Sequence, residues 1–192
     1  MIYIIRHGQT DRNKEGLLLG STDVPLNDKG RSEAEAVRKL LQDNSITFQT
    51  CYSSPLTRAM ETAEIVADMN QSAILTDDLL REMDYGPYEG VNLHNPPEAI
   101  KVFFSDFVHN PAPDGMEPLS HVTERLGKFL ENMPYDGTEN ILISTHAIAL
   151  KGALEYLMPD SHGSWWSRYV GTCALFCFDK KDGHFTRPQE VK

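Results

Sequence analysis

Two apolar runs constrain this chain more than anything else in it: Ile2-Tyr3-Ile4-Ile5 and Asn140-Ile141-Leu142-Ile143-Ser144. Each runs straight into a histidine, His7 and His146. Short, β-branched runs of this kind read as strands buried on both faces, the pattern of central strands in a parallel sheet. The first run stops at Arg6-His7-Gly8, a charge and a titratable ring followed by a glycine that permits a tight exit. In open α/β sheets, ligands sit at the carboxyl ends of strands. A strand ending on a histidine therefore opens either a solvated loop or one wall of a site, and partners elsewhere in the chain decide which.

Between and beyond these runs, strand and helix patterns alternate. The segment from Asn13 to Pro25 reads as a loop with Gly16 and Gly20, followed by a helix from about Asp28 with Ala34, Val37 and Leu41 on one face. Phe48–Ser53 reads as a strand, and Ser54-Pro55 as a helix start with a hydroxyl N-cap and proline in the first turn. That helix would carry Leu56, Ala59, Ala63 and Val66 and end near Asn70. A short strand at Ala73–Thr76 leads into a loop to Gly90, then a helix opened by Pro96-Pro97 with Ile100, Phe103, Phe104 and Phe107 on one side. Leu119, Val122, Leu126, Phe129 and Met133 mark an amphipathic helix, and Ala147–Leu157 an apolar one stopped by Pro159. Tyr169–Phe178 reads as the longest strand, and Lys180–Gly183 as a hairpin turn. The expectation is a single domain over residues 1–192: a three-layer α/β/α sandwich with a mostly parallel sheet, the hairpin supplying an antiparallel edge strand.

Charge narrows the function. With 28 acidic against 18 Lys and Arg residues, the formal net charge of -10 disfavours nucleic-acid and membrane-surface partners, both of which want a basic face. It leaves room for a small anion held in one positive pocket. The chain shows no basic start followed by a long apolar run, so no signal peptide and a cytoplasmic location are expected. Cys51, Cys173 and Cys177 are odd in number and lie in apolar surroundings, which suits buried thiols better than a disulfide framework or zinc ribbon.

Four segments would meet at one sheet edge: His7 after the first strand, Arg58 in the helix after the second, Glu82 in the loop after the third, and His146 after the fourth. Arg6 adds a planar, permanently charged fork matched to phosphate or carboxylate oxygens. Taken in order, Arg6-His7-Gly8, Asp23-x-Pro25-Leu26-x-x-x-Gly30, Ser53-Ser54-Pro55-Leu56-x-Arg58-Ala59-x-Glu61-Thr62, Glu82-x-x-x-Gly86-x-x-Glu89-Gly90 and Ser144-Thr145-His146 resemble the histidine phosphatase superfamily, the phosphoglycerate-mutase-like group. The likeness runs from residue 2 to about residue 146.

This resemblance implies phosphoryl transfer through a phosphohistidine on His7. Arg6, Arg58 and His146 would hold the phosphoryl oxygens, with Glu82 as proton donor and acceptor. It also implies phosphate contacts from Asn13 and Thr10, no metal and no cofactor. The chain departs from the family pattern at Gln9, Arg12, Leu19 and Ala147. In the insert from about residue 91 to 118, only Lys101 is a permanent cation, whereas a mutase needs a basic cluster there for its second acidic group. The reading is thus a metal-independent acid-phosphatase-type enzyme acting on a small phosphate monoester, alone or as a homodimer. A 2,3-bisphosphoglycerate-dependent phosphoglycerate mutase and a non-catalytic phosphate-binding or regulatory protein are the alternatives. A two-histidine, one-carboxylate metal hydrolase built on His7, His146 and Glu82 is a third, disfavoured by arginines aimed at the same place.

Overall fold

A computed structural model describes residues 1–192. Its central sheet is built from β1 (Ile2–Arg6), β2 (Thr50–Ser53), β3 (Leu75–Thr76), β4 (Ile141–Thr145), β5 (Leu175–Phe178) and β8 (Gln189–Glu190), in the order β3-β2-β4-β1-β5-β8. The strands β1 to β4 are mutually parallel, with β1 and β4 paired from Ile2–Ile141 to Arg6–Thr145. β5 runs antiparallel to β1, and β8 antiparallel to β5.

Alternation along the buried strands divides the core between two faces. Ile2, Ile4, Ile141 and Ile143 pack with residues of α5 (Leu119–Asn132) and α6 (Ala147–Leu157). Tyr3, Ile5, Cys51 and Leu142 pack with residues of α2 (Asp28–Asp43) and α3 (Thr57–Ala67). The two remaining helices are α1 (Asp11–Lys14) and α4 (Glu98–Ser105). The result is the expected three-layer arrangement, with a mainly parallel sheet and an antiparallel edge. No helix is long and apolar enough to cross a membrane.

Several local expectations need correction. The helix read from Ser54-Pro55 begins at Thr57, because its cap comes from elsewhere: Asp23 accepts hydrogen bonds from the Thr57 backbone N–H and hydroxyl, both at 2.7 Å. It ends at Ala67 rather than Asn70, where Asp68 turns left-handed at φ 53°. The long strand read from Tyr169 shrinks to Leu175–Phe178. Cys173 has φ 55°, which no strand tolerates, and the Val170 carbonyl is taken by Arg6 at 2.6 Å. The hairpin of β6 (Lys180–Lys181) and β7 (His184–Phe185) forms its own two-stranded sheet, so the antiparallel edge is β5 with β8. Asp11–Lys14, read partly as loop, is a helical turn capped by Thr10.

One close approach fixes the exit of β1. A Cβ on Gly8 would lie 2.5 Å from the Gly30 carbonyl oxygen, so only glycine lets the start of α2 pack against this turn. Asn27, the N-cap of α2, donates its backbone N–H to the Gln9 carbonyl at 3.0 Å, tying that helix to the turn after His7.

Candidate active site

The carboxyl ends of β1 and β4 lie side by side, because Arg6 pairs with Thr145 in register. This places His7 and His146 next to one another, with ring centroids 5.1 Å apart at 63°. Both rings are buried. Burial and the positive charges of Arg58 and Arg6 push the His7 imidazole well below its ordinary pKa, outweighing its bond to Gly8. His146 is pushed the same way by burial, Arg58 and His7. Both rings are therefore neutral at neutral pH.

Each ring has one nitrogen committed. His7 Nδ1 lies 2.7 Å from the carbonyl oxygen of Gly8, an acceptor, so Nδ1 carries the proton and Nε2 keeps a lone pair. His146 Nε2 lies 2.8 Å from Ser54 Oγ, and its buried Nδ1 has no protein partner. A Ser54 hydroxyl that donates to Nε2 would leave Nδ1 protonated and free to donate. Ser54, read from sequence as a helix cap, is instead the hydrogen-bond partner of His146.

Arg58 is fully buried at the start of α3, where Nη1 donates to the Thr22 carbonyl at 2.8 Å and Nη2 to the Gly20 carbonyl at 2.7 Å. Burial lowers its proton affinity, and the carboxylates of Glu82, Asp23 and Glu89 offset that cost. The loop that supplies these carbonyls is held by Glu89. Its carboxylate accepts from the backbone N–H groups of Gly20 at 3.0 Å, Ser21 at 3.3 Å and Thr22 at 3.2 Å. The sequence shows Glu89 as a member of the Glu82–Gly90 motif, with no role of its own. Its glycine spacing to Gly90, with Gly20 across the loop, was the available signal. A Cβ on Gly20 would sit 2.7 Å from Glu89 Oε2.

Glu82 is 7% exposed and sits at the N-terminus of α6. Its carboxylate accepts from the backbone N–H of Met83 at 2.9 Å, Ile148 at 3.1 Å and Ala149 at 3.0 Å. The free amides of a helix start favour an anion there. From behind, buried Arg125 grips the same loop, with Nη1 2.7 Å from the carbonyls of both Leu79 and Arg81 and an ion pair to Glu117 at 2.7 Å.

A cavity of about 310 Å³ opens over this floor, lined by Arg6, His7, Asn13, Glu82 and Lys151 among mostly apolar neighbours including Leu19, Phe104 and Phe107. Arg58 and His146 are fully buried beside His7 and are not among the side chains that line the cavity. Of the four buried side-chain nitrogens without a hydrogen-bond partner, three are Arg6 Nε, Arg58 Nε and His146 Nδ1. Such donors cost about 1–3 kcal/mol each when unpaired, so their clustering beside His7 suits an oxyanion with several acceptor oxygens.

Thr10 does not reach the cavity. Its hydroxyl closes a capping box with Asn13, donating to Asn13 Oδ1 at 3.0 Å. Lys101 is exposed and pairs with Glu98 at 3.4 Å, away from the cavity. Lys151 was not singled out from sequence, although one lysine inside the apolar run Ala147–Leu157 was a visible anomaly. Trp165 and Trp166 are buried core residues.

A family model described as the histidine phosphatase superfamily (branch 1) matches residues 2–188. The chain is 31% identical over 174 residues to the uncharacterized phosphatase PhoE of Bacillus subtilis, covering 90% of this chain and 84% of that protein. It is 34% identical over 168 residues to phosphoglycerate mutase-like protein 4 of Arabidopsis thaliana, covering 83% and 72% respectively. Among solved structures, YhfR of Bacillus stearothermophilus superposes with a TM-score of 0.83 at 28% identity, covering 97% of this chain and 94% of that one.

Proposed function

The chain belongs to the histidine phosphatase superfamily, and from that premise we propose that it hydrolyses a small phosphate monoester through a phosphohistidine on His7, without a metal. His7 Nε2 attacks phosphorus with its lone pair as the bond from phosphorus to the leaving oxygen breaks. Glu82 delivers a proton to that oxygen. Water then attacks phosphorus as Glu82 takes its proton, the bond from phosphorus to Nε2 breaks with its electron pair returning to the ring, and inorganic phosphate leaves. Arg6, Arg58 and His146 Nδ1 donate to the phosphoryl oxygens as charge shifts in the transition state.

The observation that carries this reading is the set of unpartnered buried donors around a histidine whose tautomer leaves Nε2 free. The metal reading fares worse. Arg58 and Arg6 set positive charge against both histidines, which a metal cation would have to share, and the Glu82 carboxylate is taken up by three backbone N–H groups. Hydrolysis is favoured over mutase chemistry because the insert gives the cavity Leu93, Phe104 and Phe107 and no basic cluster, its Lys101 pairing with Glu98 outside.

The test is phosphate release from a panel of phosphorylated metabolites and an aryl phosphate in excess chelator. Interconversion of 2- and 3-phosphoglycerate is followed alongside. We expect hydrolysis that the chelator leaves intact. Interconversion faster than any hydrolysis, or activity that needs a divalent ion restored, overturns the reading.

Glu89 gives a second expectation. Glu89→Ala leaves three loop amides unpaired and frees the carbonyls that aim Arg58. We expect kcat/KM to fall about tenfold to a hundredfold, the cost of misplacing one transition-state donor. Product inhibition separates misplaced phosphate contacts from general destabilisation: the inhibition constant for inorganic phosphate should rise with the loss.

A further inference from the structure

We propose that Lys151 recognises a carboxylate on the leaving-group side of the substrate, which makes this a phosphatase for small phosphorylated acids. The proposal rests on the reading above and narrows its substrate class.

Lys151 projects from α6 into the wall of the cavity and is 9% exposed. It donates one hydrogen bond, to the Trp166 carbonyl at 2.8 Å, and lies 5.4 Å from the centre of the Phe107 ring. An ammonium has three donor hydrogens. Two are left without a protein acceptor in a wall otherwise built largely from leucine and aromatic side chains. Burying a cation so sparsely partnered is costly unless an anion joins it.

Position and charge say which part of the substrate that anion belongs to. Lys151 stands on the helix whose first amides hold Glu82, and the two side chains line the same cavity, which puts Lys151 on the side from which Glu82 would protonate the leaving oxygen. The fields of Glu82 and Arg6 both reach it. Burial draws its pKa down to about 8, with Glu82 opposing that shift and Arg6 adding to it, so it is mainly protonated at neutral pH. The cations at the site are Arg6, Arg58 and Lys151, and both histidines are neutral. The phosphoryl group and the carboxylates of Asp23 and Glu89 answer the two arginines, and the one carboxylate whose field reaches Lys151 is Glu82. When Glu82 carries the proton that the leaving oxygen needs, Lys151 remains uncompensated, and one negative charge on the body of the substrate matches it. At about 310 Å³ the cavity is at the small end of the ~300–1,000 Å³ usual for ligand sites, so that charge must lie close to the ester.

The test compares two esters that differ only in that charge: 3-phosphoglycerate, with a carboxylate, and glycerol 3-phosphate, with a hydroxymethyl in its place. The readout is the ratio of their kcat/KM values within one protein, which cancels losses common to both. We expect the wild-type ratio to exceed about tenfold, the worth of one charge-assisted contact, to fall close to one in Lys151→Met, and to recover in part in Lys151→Arg. A wild-type ratio near one, or a ratio that Lys151→Met leaves unchanged, overturns the proposal while phosphate release continues. The wild-type ratio decides alone if the variant fails to fold. Failure to hydrolyse either ester or an aryl phosphate overturns the phosphatase reading, and this proposal with it.

Discussion

His7→Ala should reduce turnover by about four powers of ten or more, the scale seen when the nucleophile of a covalent mechanism is removed. Turnover is measured against the best ester of the panel, and the expected product of the wild type caught mid-reaction is specific. Because Nδ1 donates to the Gly8 carbonyl at 2.7 Å, the trapped phosphoryl group should sit on Nε2, stable in base and labile in acid. A label on Nδ1, or full turnover by the variant, contradicts the assignment. The pH profile follows from the same geometry. A protonated imidazole has no lone pair to offer, and burial with Arg58 and Arg6 resists protonation. The acid limb of kcat/KM governed by His7 should therefore fall well below the ordinary imidazole range.

Arg58→Met should be the next most damaging change, with kcat/KM lowered by about a thousandfold. Arg58→Lys should restore little of this. A compact ammonium cannot reach the Gly20 and Thr22 carbonyls and still present a third donor, which the planar guanidinium does. A binding measurement separates this from a folding defect. Inorganic phosphate should raise the melting temperature of the wild type, by linkage to the folded state, and should leave that of Arg58→Met almost unmoved. Equal stabilisation of both proteins would remove Arg58 from the phosphate contacts.

The fold was legible in sequence wherever burial dictated it. Ile2–Ile5 and Ile141–Ser144 are uniformly buried, and the helices facing them carry stripes with helical spacing. What escaped was set by contacts distant in sequence. The start of α3 depends on Asp23, 34 residues away, so the local signal at Ser54-Pro55 misplaced it by two residues. The strand read at Tyr169–Phe178 holds only over Leu175–Phe178, because the Val170 carbonyl serves Arg6 rather than a sheet partner and Tyr169 is left 89% exposed.

The candidate site divides in the same way. Arg6, His7, Arg58, Glu82 and His146 do converge, and their residue types carried the signal. Thr10 caps α1 instead. Lys151 was hidden because its meaning depends on the walls around it, and Glu89 because a carboxylate that holds amides looks like any loop acid. Whether the converging residues perform the chemistry assigned to them is what the two variants above decide.

The loop between Glu89 and Arg58 has an electrostatic consequence. Had the carboxylate met the guanidinium directly, it would have held the arginine as firmly and cancelled its charge. Here a layer of backbone stands between them: the Gly20–Ser21 peptide turns its N–H to Glu89 and its C=O to Arg58, while Glu89 also takes the Gly20 and Thr22 N–H groups and Arg58 the Thr22 carbonyl. Orientation passes through that layer, while the positive charge of Arg58 is only partly offset. The peptide layer is thus an insulator: Arg58 is fixed by an acid it never touches and still arrives at the phosphate as a cation.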